Sequence, residues 1–178
     1  MNFFSSSMRG PSRPHAPRLF SYDESKLVRA APRGDLHAFN QLVVRHQERA
    51  YRVAYHLLND TDTASGITQN VIAHAYAKIA TLHDESFEVW LLRLITARCT
   101  AYLESYPAPF APRTELQRGI ETLALSERIT LILADLEKLA PQDIAAITHT
   151  DVATVRARLS RARRGLRDVL QGASLQNV

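Results

Sequence analysis

Six arginines crowd one stretch near the end of this chain: Arg156, Arg158, Arg161, Arg163, Arg164 and Arg167, with Asp168 the one acid on their face. A guanidinium carries five N–H donors in a fixed plane. It takes two acceptors at once from a guanine edge, or holds phosphate oxygens. The chemistry on offer is therefore recognition of a polyanion rather than bond making. The spacing is helical. Val152, Val155, Leu159, Ala162, Leu166 and Val169 recur at three and four and form one apolar stripe, which leaves the arginines on the opposite face. Asp151 suits the N-cap of that helix. A shorter helix is expected at residues 142–147, behind Pro141 and with Asp143 in its first turn. The sequence THTD at 148–151 separates the two, because short polar side chains compete for backbone hydrogen bonds. His149 then falls where a left-handed backbone is needed, a conformation that glycine adopts more easily. The pattern is a helix-turn-helix whose second helix suits a DNA major groove. The plainer alternative is a basic helix face that is merely solvated.

No catalytic constellation accompanies it. The seven histidines (His15, His37, His46, His56, His74, His83 and His149) have no paired metal-ligand spacing. There is no phosphate-cradling glycine loop and no GxSxG elbow. Cys99 is the lone cysteine, sits in an apolar helical pattern and reads as core packing. The expectation is a non-enzyme with no metal and no cofactor. The 178 residues allow one or two domains, and 46% hydrophobic content is that of a globular chain. The net charge of +4 leans towards anionic partners. A single cysteine and the lack of a long apolar run point to a reducing cytoplasm without membrane attachment.

The rest of the chain must hold the arginine helix in place. Residues 1–20 read as a disordered Ser-, Pro- and Arg-rich tail. A short helix is expected from Ser21, with Leu27, Val28 and Ala31 on one side and Pro32 and Gly34 ending it. Asp35 then caps a long helix to Leu58, whose stripe is Leu36, Phe39, Leu42, Val43, Ala50, Val53, Ala54 and Leu57. NDTDT at 59–63 is turn chemistry. A third helix is expected over 63–82, with Ala64, Ile67, Val71, Ala75 and Ile79 inward, and with Gly66 weakening it. HDES at 83–86 breaks it, and a fourth helix begins near Phe87, carrying Trp90, Leu91, Leu94, Ile95 and Tyr102. SYPAPFAPR at 105–113 is a proline-rich linker. Beyond it, Leu116, Ile120 and Leu123 mark one helix, and Ile129, Ile132, Leu133 and Leu136 another. No stretch alternates as a strand, so the fold class is all-α. Two small helical domains are expected at 21–104 and 115–171, joined by a linker at 105–114 and followed by a tail at 172–178.

With these positions named, the chain resembles an extracytoplasmic-function sigma factor, the small two-domain class of bacterial transcription initiation factors. The first domain resembles region two, on LVRAAPRGDLHAFNQLVVRHQERAYRVAYHLL at 27–58, TQNV at 68–71 and FEVWLLRL at 87–94. The second resembles region four, on Leu123, Arg128, Leu133, Asp143, Ile144, Ala145, Thr154, Val155, Arg158, Arg161, Ala162, Arg163 and Leu166. The resemblance implies that region two binds core RNA polymerase and opens the −10 element, and that region four reads the −35 element. It assigns polymerase contact to Asp62, Thr68, Gln69 and Ile72. It assigns promoter opening to Trp90, Arg93 and Arg98, although Trp90 also reads as a core residue. Thr154, Arg156, Ala157, Ser160 and Arg161 are expected to face DNA, with Arg158, Arg163 and Arg164 holding phosphate or packing their stems. An anti-sigma factor is a further implied partner. Ser65, Gly66 and Asn70 stand where the family carries acids, and Ala97, Ala101 and Glu104 where it often has Asn, Asp and a basic residue. The lost acids motivate a second reading beside the working sigma factor, a degenerate sigma-like protein that binds a regulator instead of acting at promoters. A third is a DNA-binding regulator using residues 142–170 alone.

Overall fold

The computed structural model describes residues 23–82, 85–106, 112 and 114–176, with backbone only from 173. All regular structure among them is helical. The tail at 1–20, with Arg9, Arg13 and Arg18, lies outside the described residues, as do Ser21, His83, Asp84, Pro107, Pro109 and most of the proline-rich linker.

Polar caps start the helices of the first half. Asp23 accepts the Ser25 N–H at 3.2 Å and opens α1, Glu24–Ala30. Pro32 does not stop the chain there, because it fits the first turn of a 3-10 segment, Ala31–Arg33. Gly34, at φ 93°, makes the turn that ends it. Asp35 accepts the Ala38 N–H at 2.9 Å and starts α2, Leu36–Leu58, as expected. The expected apolar stripe of α2 is buried except Leu36, which is 53% exposed in the first turn. Asn59 takes the left-handed C-cap and Asp60 caps the next helix through the Thr63 N–H at 2.8 Å. The turn is thus two residues tighter than expected, and α3 runs Thr61–Lys78. Ser86 caps α4, Phe87–Ser105, by accepting the Val89 N–H at 3.1 Å.

Helices α2, α3 and α4 pack on one another around Leu42, Val53, Phe87, Leu91, Leu92 and Ile95. Trp90 belongs to this core. It is 1% exposed, donates its indole N–H to the Thr81 hydroxyl at 3.2 Å, and sits 5.5 Å from the Phe87 ring. Of the two readings of Trp90, core residue and promoter opener, its burial fits the first, since a large ring on the apolar stripe is worth more buried than exposed.

In the second half, a reciprocal capping box between Thr114 and Gln117 starts α5, Glu115–Glu121. Leu116 lies outside the core, and Ile120 and Leu123 lie within it. Helix α6, Leu125–Leu131, runs into a π-helical turn, Ile132–Leu136, which Lys138 closes in the left-handed region at φ 59°. Leu136 is turned out by that wider turn. Helix α7 spans Pro141–Thr148 and α8 spans Val152–Gln176, longer than the expected end near Leu170. Val155 and Ala162 of α8 are fully buried against α5, α6 and α7.

The two halves touch. Helix α4 packs beside α7, and α2 meets the π turn through Glu137. The Glu137 carboxylate accepts from Arg52 Nε at 3.1 Å and Arg52 Nη2 at 2.9 Å, and lies 3.4 Å from Arg49 Nε. Two helical halves stand where two domains are expected, and their buried apolar residues join in one cluster where α4 packs beside α7.

Gly66 sits exposed inside α3 with open space beyond its Cα. Replacing glycine by alanine in an exposed helix interior removes backbone freedom from the unfolded chain. Gly66→Ala is expected to stabilise the protein by about 1 kcal/mol, seen as a higher urea midpoint with an unchanged slope.

Candidate nucleic-acid interface

The interface is built on α8 and the turn that aims it. The α7 helix ends because His149 adopts φ 50°, ψ 49°, the left-handed conformation its position requires. Its N–H returns to the Ala145 carbonyl, and the Thr150 N–H reaches the same oxygen at 3.0 Å. Asp151 then accepts both the Thr154 N–H at 2.7 Å and the Thr154 hydroxyl at 2.8 Å. These bonds, led by the backbone one, hold the Asp151 carboxyl below the usual range. Thr154 is therefore half-buried and engaged in the cap, whereas Ala153 beside it is exposed.

Arg156, Ala157, Ser160, Arg161 and Arg164 form one exposed row along α8. Their spacing of three and four residues places them over one another on the face opposite Val155 and Ala162. Arg161 bonds Glu127 of α6 through Nε at 2.7 Å. Arg163 forms a two-pronged pair with Asp135 at 3.0 and 2.6 Å. Both acids lie far away in sequence, and nothing in the local pattern announces them. Arg158 is half-buried and turns away from the row. It lines a cleft of about 420 Å³ with Thr148 and His149 on one side and Arg93, Ala97 and Glu104 of α4 on the other. Of the two expectations for Arg158, holding phosphate or packing its stem, the half-buried position fits the second.

The expected polymerase contacts split in the same way. Asp62 and Gln69 are exposed on α3, Gln69 with its amide on the Ser65 hydroxyl at 3.3 Å, and Ile72 is half-buried beside them. Thr68 is 6% exposed and points inward, so the exposed face of α3 does not include it. On α4, Arg98 is exposed, and Arg93 is half-buried in an ion pair with Glu85. Cys99 is buried among apolar side chains, which pushes its thiol up to about 12 and leaves it unreactive. Among the described residues no group of His, Cys, Asp and Glu is arranged to hold a metal ion, and no helix is long and apolar enough to cross a membrane.

An ionic chain fixes α4 against its neighbours. His46 of α2 lies 3.0 Å from Glu24 of α1 and 3.6 Å from Glu88 of α4. Glu88 also pairs with Arg49, which continues to Glu137. Burial opposes a charge on His46, yet the adjacent Glu88 and Glu24 carboxylates outweigh it and raise the imidazole pKa. The neighbouring His46 holds the Glu88 carboxyl low, with Arg49 adding to it against burial.

Two family descriptions match this chain in order. Residues 42–106 match Sigma-70 region 2, and residues 113–166 match Sigma-70, region 4. The ECF RNA polymerase sigma factor SigE of Mycolicibacterium smegmatis is 28% identical over 158 residues, 75% of this chain and 62% of that protein. The ECF RNA polymerase sigma-E factor of Escherichia coli K12 is 27% identical over 178 aligned residues, 82% of this chain and 93% of that protein. Among solved structures, CnrH in complex with the cytosolic domain of CnrY aligns with a TM-score of 0.70 at 22% identity, over 84% of this chain and 97% of that one. That last similarity is one of fold.

The raised pKa of His46 makes stability depend on pH with a definite sign. A base whose folded pKa lies above its unfolded value near 6.5 contributes fully below that value. The contribution is lost as the pH rises through the folded pKa. In urea titrations, the gap between the wild-type chain and His46→Gln is expected to be widest at pH 6 and to narrow by pH 8. A gap that widens with pH contradicts the assignment.

Proposed function

The chain belongs to the sigma-70 family as an extracytoplasmic-function sigma factor, a non-enzymatic initiation factor that binds RNA polymerase and starts transcription, and on that premise we propose which surfaces do each task. The first domain, residues 21–104, meets core polymerase through the exposed side of α3, with Asp62, Gln69 and Ile72. Its α4 helix works on the −10 element with Arg93 and Arg98. The second domain, residues 115–171, reads the −35 element by laying the N-terminal half of α8 in the major groove. Promoter DNA and polymerase are its cytoplasmic partners. A regulator that holds it in reserve is proposed by analogy with CnrH, solved with the cytosolic domain of CnrY.

The observation that carries the DNA reading is the exposed row Arg156, Ala157, Ser160, Arg161 and Arg164 behind the Asp151 cap. Small side chains at Ala153 and Ala157 let the helix backbone approach the groove floor, while the arginines reach base edges and phosphates. Arg161 exchanges Glu127 for DNA, an exposed pair in which the arginine loses little. The α4 flank facing Arg158 and His149 becomes available when the halves part, so promoter engagement includes that opening. Two features of the sequence weaken the first domain: Ser65, Gly66 and Asn70 in place of acids weaken its polymerase contact, and the exposed Glu104 repels phosphate and weakens strand opening.

The deciding experiment is binding to core polymerase from the host, followed by transcription from a candidate promoter. Gln69→Ala is expected to weaken polymerase binding. Arg161→Ala is expected to cost about 1–3 kcal/mol at one base position if it reads a base, or to lower affinity evenly if it holds phosphate. Undiminished affinity across all sequences removes Arg161 from the interface. Absence of polymerase binding by the wild-type chain favours the degenerate, regulator-binding reading.

A further inference from the structure

Away from the DNA and polymerase surfaces, a cavity of about 180 Å³ lies between the two halves. Its floor is the end of α2, with Tyr55, His56 and Asn59, and its opposite wall is α5 and α6, with Ile120, Glu121 and Arg128. Two side chains that line it carry buried donors without a partner: the Nδ2 amide of Asn59 and Nε of Arg128. Burial of the Arg128 guanidinium works against its charge, and Glu121 is the acid whose field offsets this. No ion pair forms between them within 4 Å. Burial also keeps His56 on the neutral side, with Glu137 and Arg52 acting on it in opposite directions.

A folded chain rarely leaves two buried donors unmet on one cavity. Both orphaned groups are donors and one is cationic, so the missing partner supplies acceptor oxygens and a negative charge. Leu57, Leu116 and Leu136, with Ile120, make most of the remaining lining apolar, and Thr114 and Gln117 add polar groups at the α5 end. That lining favours an occupant with a hydrocarbon body over a bare inorganic anion, and Glu121 disfavours a second negative charge. The volume is below that of pockets for drug-sized ligands and excludes a nucleotide. We propose that this cavity is a binding site for a small organic monocarboxylate, its carboxylate held by Arg128 and Asn59 and its body against the leucines. An occupant touches both halves and so favours the packed arrangement over the open one.

The test is a proton–nitrogen NMR titration of the full chain with sodium benzoate, beside benzamide and sodium chloride at matched ionic strength. Saturable shifts of the Asn59 side-chain amide and the Arg128 Nε–H with benzoate alone are expected. Asn59→Gly keeps the left-handed turn at φ 58° while removing the amide, and Arg128→Gln removes the charge. Each is expected to weaken benzoate at least tenfold with the rest of the spectrum unchanged. The proposal is overturned by shifts that do not saturate, by equal shifts with chloride or benzamide, or by wild-type affinity in Asn59→Gly. Water alone fills the cavity in any of those cases.

Discussion

The packed arrangement depends on one buried carboxylate. Glu137 is 4% exposed and sits where the π turn of the second half meets α2 of the first. Removing a carboxylate from water costs several kcal/mol unless charges and hydrogen bonds replace its hydration. Arg52 donates two of those bonds and Arg49 adds its charge, and donating to Glu137 in turn pushes the Arg52 pKa up. Both arginines keep about a third or more of their side chains in water. Their attraction is therefore screened, and the pair acts more as a geometric requirement than as a source of stability. If the halves part, Glu137 must be rehydrated while the arginines lose little.

That requirement explains an otherwise odd stretch of backbone. A helix that ended normally after Leu131 would not carry Glu137 towards α2. The π turn widens the last turn, and the Lys138 left-handed residue closes it through bonds from Glu137 to Ile132 and from Leu139 to Leu133, both 3.0 Å. The same device recurs at His149, where another non-glycine residue in the left-handed region redirects the chain from α7 into α8. Neither residue is chosen for ease of conformation, since glycine is cheaper at such a site. At His149 the cap bonds to Ala145 and the Asp151–Thr154 pair on the other side fix the turn from both ends.

What the sequence revealed and what it concealed divide by range. Asp35, Asp151 and the stripe from Val155 to Leu166 are local signals, each readable within one or two turns, and each lies where its spacing requires. Asp60 lies within a stretch legible only as turn chemistry, so the start of α3 was expected two residues late. Leu36 and Leu116 kept the right period at helix starts but had no facing element, so periodicity overstated their burial. Thr68 and Trp90 show the reverse. A resemblance assigns them outward roles, while packing against the core takes both inward. The acids that hold the arginines were not legible at all, because Glu137 is 85 residues from Arg52 and Glu127 is 34 from Arg161, and no helical period spans such distances.

Those two kinds of arginine pairing differ in what it takes to undo them. The pairs of Arg161 with Glu127 and Arg163 with Asp135 lie at the surface, where each arginine is about half exposed. Exposed pairs of this kind contribute roughly 0–1 kcal/mol, and phosphate oxygens replace the carboxylates with equivalent bonds. If α8 takes DNA as proposed, loading it is a near-even exchange of partners that salt weakens. Separating α4 from α7 is different. It exposes the apolar flanks of both helices and leaves Glu137 to find water in place of two guanidinium groups. On the proposed reading, the helix that carries the arginines is already exposed in the packed chain, and the resistance to promoter engagement lies at the contact between the halves. Whatever partner separates them must supply its binding energy there.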